Sequence, residues 1–230
     1  MNYFADSLAA AFSLIFNLDP DIMRIVLTSV YISLVASAIA AALAVPAGVA
    51  MALNRFPGKH LLQHLLNTLM AMPTVVIGLL LYGLFSRMGP LGHWGLLYTP
   101  TAIVIAEAIL IFPIMMNLSI IAVNSADPRL VPTLQSLGAR PVQMMYQVIR
   151  TTRLAILAGI ITGFGRAIGE VGAAMMLGGN IEGYTRTMTT AIALETSKGE
   201  FELGLALGMV LLVIAFVLNF MLSLLNRATP

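Results

Sequence analysis

The fold is decided by the stretch IVLTSVYISLVASAIAAALAVPAGVAMALN, residues 25–54, which contains no charged side chain. A second uncharged stretch covers residues 203–226. Each is longer than the roughly 20 residues that a helix needs to cross the hydrocarbon core of a bilayer. Because lipid offers the backbone no hydrogen-bond partner, a crossing segment must satisfy its own N–H and C=O groups as a helix. The sequence therefore predicts an all-α membrane protein.

The composition of the whole chain agrees with this prediction. Of 230 residues, 59% are hydrophobic and 10% are charged, whereas an average soluble domain has about 25% charged residues. The absence of cysteine excludes a disulfide framework and a thiolate metal site or nucleophile. Three further apolar blocks, at residues 62–85, 101–124 and 154–177, raise the number of predicted transmembrane helices to five.

Residues 1–23 are predicted to form a helix that lies in the membrane interface. Their apolar side chains recur at helical spacing, and the run between Asp6 and Asp19 is short for a crossing segment. A sixth, short transmembrane helix is the alternative interpretation. The apolar side chains concerned are Phe4, Leu8, Phe12, Ile15 and Phe16.

The distribution of lysine and arginine predicts the orientation of the chain, since short cytoplasmic loops carry the excess of positive charge. One set of connecting segments holds seven basic residues and the other holds four, and the two sets alternate across five helices. This places residues 125–153, called the basic loop below, and the C-terminus in the cytoplasm, and the N-terminus outside. The seven are Arg55, Lys59, Arg129, Arg140, Arg150, Arg153 and Arg227; the four are Arg24, Arg87, Arg186 and Lys198.

The basic loop has the pattern of two short amphipathic helices. Asp127-Pro128 and Arg140-Pro141 are typical of helix starts, because a proline in the first turn loses no helical hydrogen bond. Gly138 is typical of a helix end, and Pro132 either marks the first turn or distorts the second. The apolar stripe of the first helix is left for another surface, either a groove in a partner protein or the lipid headgroups. It consists of Leu130, Val131, Leu134 and Leu137.

This arrangement of helix, glycine and helix resembles the cytoplasmic loop in the permeases of binding-protein-dependent ABC importers. In that family a Glu-Ala-Ala motif precedes the glycine and an Ile-x-Leu-Pro pattern follows it. Here Leu137-Gly138-Ala139 fits, Pro132-Thr133-Leu134 stands in place of Glu-Ala-Ala, and the final Leu-Pro is absent. The resemblance implies that the loop couples the chain to an ATPase, and the missing acid favours apolar contact over a salt bridge. The implied coupling residues are Leu130, Val131, Leu134, Leu137, Gly138, Ala139 and Arg140.

Two other stretches resemble the oxyanion branch of this family, the permeases for tungstate, molybdate and sulfate. They are MPTVVIGLLLYGLFSRMGPLG at residues 72–92 and GRAIGEVGAAMMLGGNIEGYTRTMTTAI at residues 165–192, and the first is most similar to the tungstate type. The resemblance covers roughly residues 28–226. It implies a type I ABC importer permease fold in a single transmembrane domain, residues 1–230, in the inner membrane of a prokaryote. The implied cargo is tungstate, with molybdate or sulfate as the alternative.

The resemblance also implies the partners of the chain. A permease of this family works as a homodimer with a dimer of ABC ATPases, which carry the ATP and Mg²⁺, and with an extracytoplasmic binding protein. The chain is then expected to need no cofactor of its own, to contact membrane lipid and to bind no nucleic acid.

Apart from His64, which is counted as neutral at pH 7, three ionisable residues lie inside predicted transmembrane helices, where the burial of a charge costs about 2.5 to 3.5 kcal/mol or more. Arg166 and Glu170 are four residues apart and share a helix face, so they can neutralise each other. Glu107 is a further candidate partner of Arg166. We favour a structural charge lock, because a strong fixed cation in the pathway would hold a dianion; the alternative is that Arg166 lines the route of the anion.

Hydroxyl groups and glycines are the remaining candidates. The outer loop at residues 178–202, called the threonine-rich loop below, offers neutral donors that suit an anion in transit and an outer gate; an ordinary exposed loop helix is the alternative. Glycines four apart let helix backbones approach closely, within one subunit or between two. The threonines are Thr185, Thr187, Thr189 and Thr190, and the glycine pairs are Gly159 with Gly163, Gly165 with Gly169, and Gly204 with Gly208.

The chain lacks the motifs of an enzyme. No G-x-x-x-x-G-K-[ST] motif occurs, since Gly58-Lys59 is followed by His60, and His60, His64 and His93 are too scattered for a metal site. No catalytic residue is therefore predicted. The rival function is an ion-coupled secondary transporter with the three intramembrane charges as its relay, although we find no internal repeat to support it.

Overall fold

The computed structural model describes residues 3–17, 19–54 and 56–228, and every regular element in these ranges is a helix. The prediction of an all-α protein is thereby confirmed. The elements are α1 Tyr3–Phe16, α2 Pro20–Leu53, α3 Lys59–Met70, α4 Thr74–Phe85, a 3₁₀ turn Gly92–Trp94, α5 Pro100–Asn124, α6 Leu130–Ser136, α7 Pro141–Thr151, α8 Arg153–Ile168, α9 Gly172–Gly178, α10 Met188–Lys198 and α11 Phe201–Ala228.

Three of these helices, α2, α5 and α11, are each long and apolar enough to cross a membrane. The pairs α3–α4 and α7–α8 pass the same test together, but they bend by 94° and 75° at their junctions. When each bent pair is counted as one crossing, the total rises to up to five, which agrees with the number predicted from the sequence.

The helices of the second and fourth predicted crossings are broken. Between α3 and α4 the chain contains Pro73, which disfavours helical geometry at Met72 before it. The sequence predicted one helix across residues 154–177, and the structure corrects this, because α8 ends at Ile168 and α9 begins at Gly172.

The N-terminal helix α1 has 14 residues, too few for a transmembrane helix. Its placement in the membrane interface stays a prediction. Met1, Asn2, Leu18 and Arg55 lie outside the described residues, as do the side chains of Phe4 and Arg227, so the roles predicted for them also stay predictions.

The chain packs as two compact units, and each is described by itself. The expectation of a single domain over residues 1–230 stays a prediction. The first unit comprises Met1–Ala36, Pro73–Glu107 and Arg166–Val217, and the second unit comprises Ser37–Met72, Ala108–Gly165 and Leu218–Pro230.

In the first unit, α4 packs closely against α9. A Cβ added at Gly78 would lie 3.0 Å from Ala173 Cα, and one added at Gly172 would lie 3.1 Å from Val75 Cγ2. Glycine therefore sets the distance between these helices, since a larger side chain would push them apart. The two stretches that carry the oxyanion resemblance thus contact each other.

In the second unit, a buried apolar cluster joins residues of α2, α5, α7 and α8. Side chains of the basic loop pack on this cluster, so it fixes the position of the loop. The cluster consists of Val45, Val49, Ala122, Val123, Val148 and Ile156.

Candidate functional site

The first helix of the basic loop, α6, begins at Leu130. A turn precedes it, in which the Asp127 carboxylate accepts a hydrogen bond from the Arg129 N–H at 2.8 Å. Pro132 therefore falls in the first turn of α6, where its missing N–H costs no helical hydrogen bond. Of the two positions that the sequence left open for this proline, the structure has the undistorted one.

Gly138 follows α6 and directs the chain towards α7. Its φ of 72° lies in the left-handed region, and nothing lies within 4 Å of a Cβ added there, so backbone conformation rather than crowding requires glycine. The second helix begins at Pro141, and the Gln143 side chain accepts from the Arg140 N–H at 2.8 Å. Local backbone chemistry thus fixes the turn between the two helices.

The predicted apolar stripe of α6 faces mostly the chain itself. Leu130, Val131 and Leu134 pack on the buried cluster that contains Val148. Three of the four members of the stripe therefore stabilise the loop within the second unit. Because they remain partly exposed, contact of the stripe with another surface stays a prediction. Leu137 is the member that remains exposed.

Three large apolar side chains of the basic loop point away from this cluster. Leu137 is 77% exposed, and Val142 and Tyr146 of α7 are 71% and 62% exposed. They are called the exposed triplet below. Val142 and Tyr146 were not predicted from the sequence, although their spacing of four residues on one face of α7 was the available signal.

In the first unit, Arg166 and Glu170 form the ion pair that their spacing suggests, with 2.9 Å between Nη1 and Oε2. The Glu170 side chain is 3% exposed, whereas the Arg166 side chain is 40% exposed. Glu107, the third residue of the predicted lock, is buried, and its Oε2 has no hydrogen-bond partner. Among the described residues, the ion pair of Arg166 is with Glu170 and not with Glu107.

Glu170 contacts residues of three consecutive helices, all of them within the first unit. Besides the ion pair with α8, its Oε1 accepts from the Ala173 N–H at 3.1 Å and so satisfies a free backbone donor at the start of α9. Its backbone carbonyl accepts from the Thr189 hydroxyl of α10 at 2.6 Å. One residue in the break of the fourth crossing therefore fixes the ends of the helices around it.

The threonines of the threonine-rich loop bond to the protein itself. Thr185 Oγ1 donates to the Gly178 carbonyl at 2.6 Å. At the start of α10, the Thr187 N–H donates to Thr190 Oγ1 at 2.9 Å. Thr189 donates to Glu170, as described above. The four hydroxyls thus hold the loop together, and their part in a gate stays a prediction. The side chains of Thr185, Thr187, Thr189 and Thr190 are all buried.

Two further residues of this network were missed by sequence analysis. Ser29 Oγ of α2 accepts from the Met188 N–H at 2.7 Å across 159 positions of sequence, and no local pattern announces such a contact. Asn180 has a positive φ of 52°, and its Oδ1 accepts from Thr190 Oγ1 at 2.9 Å. The pair Gly179-Asn180 was an available signal, because both residue types tolerate the left-handed region.

The glycine pairs differ in their surroundings. Gly159 and Gly163 pack α8 on α5, since an added Cβ would lie 3.0 Å from Leu118 Cβ and 2.9 Å from Met115 Cγ, respectively. A Cβ at Gly208 would meet nothing within 4 Å. The first pair therefore serves packing within one chain. A Cβ added at Gly165 would lie 3.7 Å from Leu218, and one added at Gly204 would lie 3.7 Å from Thr196. Gly169 lies just beyond the end of α8.

The described residues offer an exposed apolar surface and a tightly bonded segment. No three His, Asp or Glu side chains among them are placed to hold a metal ion. The exposed triplet is apolar, and the charges of Arg166 and Glu170 neutralise each other. An exposed apolar surface of this kind can bind a partner protein.

Comparison with known proteins matches residues 44–229 to the family model described as binding-protein-dependent transport system inner membrane component. The chain is similar to the tungstate uptake system permease protein TupB of Peptoclostridium acidaminophilum, with 40% identity over 219 residues that cover 95% of this chain and 96% of the relative. It is also similar to the protein of the same name from Campylobacter jejuni subsp. jejuni, with 36% identity over 227 residues that cover 99% and 95% of the two chains.

Among solved structures, the chain is similar to the crystal structure of an amino acid ABC transporter with histidines. The TM-score is 0.64, and the match covers 94% of this chain and 98% of that chain. At 18% sequence identity this similarity concerns the fold alone. The fold that the sequence predicted is thereby confirmed.

Proposed function

This chain belongs to the family of binding-protein-dependent transport system inner membrane components, and we propose that it is the transmembrane subunit of an ATP-driven ABC importer for an oxyanion. Tungstate is the first candidate for the cargo. The observation that carries this proposal is the similarity to tungstate permeases over nearly the whole chain. Molybdate or sulfate is the alternative within the same branch.

A partner ATPase supplies the energy for transport, since this chain has no phosphate-binding loop of its own. The exposed triplet suits the contact with that ATPase, because covering apolar side chains on a water-facing loop is favourable by about 25 cal/mol per Å². Leu130, Val131 and Leu134 hold the loop in place beneath the contact. ATP and Mg²⁺ bind to the ATPase, and this chain acts as a permease rather than as an enzyme.

A second copy of this chain completes the pathway. Of the most apolar 18-residue stretch of α11, 11% is buried within the chain, compared with 61% for the corresponding stretch of α5. The open space beside Gly208 lies on this exposed helix. A partner helix and lipid both suit such a surface, since small residues let helices in a membrane approach closely.

An extracytoplasmic binding protein delivers the anion to the outer side of the inner membrane. The distribution of basic residues assigns the basic loop and the C-terminus to the cytoplasm and the N-terminus to the outside. The same assignment puts the threonine-rich loop on the outer side, where it is the candidate gate. Because its hydroxyls are bonded to protein groups, opening this gate requires breaking contacts such as that between Thr189 and Glu170.

Reconstitution of the complete importer tests this function. The chain is placed in lipid vesicles with its partner ATPase and binding protein, and ATP hydrolysis and anion uptake are measured with tungstate, molybdate or sulfate. We expect tungstate to stimulate hydrolysis and to enter the vesicles. A preference for molybdate or sulfate would change the assigned cargo to that anion, within the same class of importer. No response to any of the three anions would contradict an oxyanion importer.

A further inference from the structure

A polar face lies on α3 and α5 in the second unit. Gln63 and Asn67 are four residues apart on α3 and share a face, and Asn117 lies on α5. All three fall inside apolar blocks predicted to cross the membrane, at residues 62–85 and 101–124. Polar side chains at such positions are costly unless they find partners or water, so their presence calls for a physical reason.

The three amides contact one another only in part. Gln63 Nε2 donates to Asn117 Oδ1 at 2.7 Å, which is a short bond. Asn117 Nδ2 donates to Met70 Sδ at 3.4 Å, whereas its contact with Asn67 Oδ1 is long, at 3.5 Å. Asn67 is exposed, and its Nδ2 donates to none of the described residues. The cluster therefore presents free N–H donors at its exposed end.

An open cleft of about 620 Å³ adjoins this cluster, and Gln63 lines it. Its other polar walls are Lys59, His60 and Asn124, and none of the described lining residues carries a carboxylate. The Lys59 ammonium donates to two backbone carbonyls at the end of α2, at 3.2 and 3.1 Å, which leaves one of its three N–H groups for a ligand. Asp127 lines a separate cleft, and Lys59 lies between the two clefts as part of the lining of both. The cleft beside the amides thus offers hydrogen-bond donors and positive charge.

Such a set of donors suits a tetrahedral oxyanion. An ammonium at the mouth of a cleft attracts an anion. Amide N–H groups then replace part of its hydration, but they hold it more weakly than a guanidinium because they carry no charge. Weak contact allows the anion to leave, as a pathway requires. Arg166, in contrast, already has its charge neutralised by Glu170.

We propose that Gln63, Asn67 and Asn117 form a transient contact site for a tetrahedral oxyanion, next to the cleft of Lys59 and His60. The inference rests on the proposed function, because its ligand is the cargo of the importer. The distribution of basic residues assigns Lys59 to the cytoplasmic side, so the anion passes this site late in import. The phosphate of a lipid headgroup has the same chemistry, and the experiment separates the two sources.

The test compares Asn67→Leu with the wild type in the reconstituted complex of permease, ATPase and binding protein, with tungstate as the probe. Tungstate-stimulated ATP hydrolysis and tungstate uptake are both measured. We expect hydrolysis to change by less than about twofold and uptake per ATP to fall about tenfold, the effect of one lost hydrogen bond to an anion. Asn67→Gln keeps the amide and is expected to recover most of the uptake.

A matched control is available in the same unit. Asn219→Leu removes an amide of α11 that lines a different cleft, and it is expected to leave both rates unchanged. All variants are measured in vesicles of phospholipid and in vesicles of galactolipid, whose headgroup carries no phosphate. A cargo site gives the same loss of uptake in both, whereas a loss seen only with phospholipid shows a headgroup site and overturns the inference.

The outcomes for this inference and for the proposed function are distinct. Unchanged uptake in Asn67→Leu, or an equal loss of hydrolysis and uptake, contradicts the contact site. The importer function is still supported in that case if the wild type takes up the anion. If the wild type takes up none of tungstate, molybdate and sulfate, the importer and the contact site fail together.

Discussion

The basic loop and the segment at residues 166–190 both interrupt an apolar chain. The first exposes apolar side chains, whereas the second buries polar and charged ones. The basic loop turns three apolar side chains away from the protein, at exposures of 62% or more. The segment at residues 166–190 buries Glu170 and four threonines and pairs them with groups of the same unit. The basic loop therefore leaves its exposed triplet open, whereas the other segment has already satisfied Glu170 and the four threonines.

This difference shows how to separate a binding surface from a structural element in a membrane protein. When a partner covers exposed apolar groups outside the membrane, the free energy of the system falls. A buried ion pair whose hydrogen bonds are complete has no free group for a ligand. Removing one of its partners costs the protein much of its stability. On this criterion, the exposed triplet is our candidate for the contact with the partner ATPase, and the Arg166–Glu170 pair is our candidate for a structural lock.

The largest effect that would sharpen this comparison is expected for Arg166→Ala. The substitution leaves the Glu170 carboxylate buried without its counter-ion, which should destabilise the protein by about 3 kcal/mol. Thermal unfolding in detergent measures this loss as a lower midpoint temperature. The double variant Arg166→Ala with Glu170→Gln should recover part of it, because glutamine removes the charge and keeps an oxygen for the Ala173 N–H.

A matched control for this pair is Arg24→Ala. Arg24 and Asp21 lie 3.9 Å apart with side chains 72% and 70% exposed, so their contact should contribute less than about 1 kcal/mol. If Arg166→Ala and Arg24→Ala lower the unfolding temperature equally, the pair does not hold the helices.

An effect of intermediate size is expected at the basic loop. Leu137→Asp places a charge in the exposed triplet and should weaken binding of the ATPase by about 2 kcal/mol, roughly 30-fold, without lowering the unfolding temperature. Leu134→Asp places the charge against the cluster of the second unit, so it should destabilise the chain itself. Co-purification with the ATPase and thermal unfolding are measured on both variants.

The two leucines serve as controls for each other. Full binding of the ATPase by a stably folded Leu137→Asp variant would show that the exposed triplet is not the contact. Normal stability of Leu134→Asp would show that α6 turns a different face to the protein than the structure describes.

The smallest effect is expected for Thr189→Val, which has nearly the same shape and removes the hydrogen bond to the Glu170 carbonyl. The loss should be about 1 kcal/mol of stability. Thr162→Val is the control, because the hydroxyl of Thr162 is exposed and bonds to its own helix at Ala158. A Thr189→Val protein of unchanged stability that transports tungstate poorly would indicate a hydroxyl facing the cargo, and would reverse our interpretation of this region.

The sequence was informative wherever the cause of a structure is local. Uninterrupted apolar length predicted the crossings, proline and glycine predicted the two helices of the basic loop, and a spacing of four residues brought Arg166 and Glu170 together. Each of these features depends on residues within one continuous segment of the chain.

The sequence was less informative wherever distant residues decide. The side of α6 that is buried depends on Val45 and Val49 of α2, far from Leu134 along the chain. The bond between Ser29 and Met188 joins residues 159 positions apart, and the amides of Gln63 and Asn117 meet across 54 positions. Periodicity shows that a helix has an apolar or a polar face, but only packing determines what covers that face.

The most direct measurement of the central claim is tungstate accumulation in vesicles that contain the permease, the binding protein and either an active ATPase or a variant ATPase that binds ATP without hydrolysing it. Our account predicts accumulation with the active ATPase alone, and its loss when the permease carries Leu137→Asp. Accumulation that persists without hydrolysis and follows an ion gradient would contradict the account and would indicate a secondary transporter.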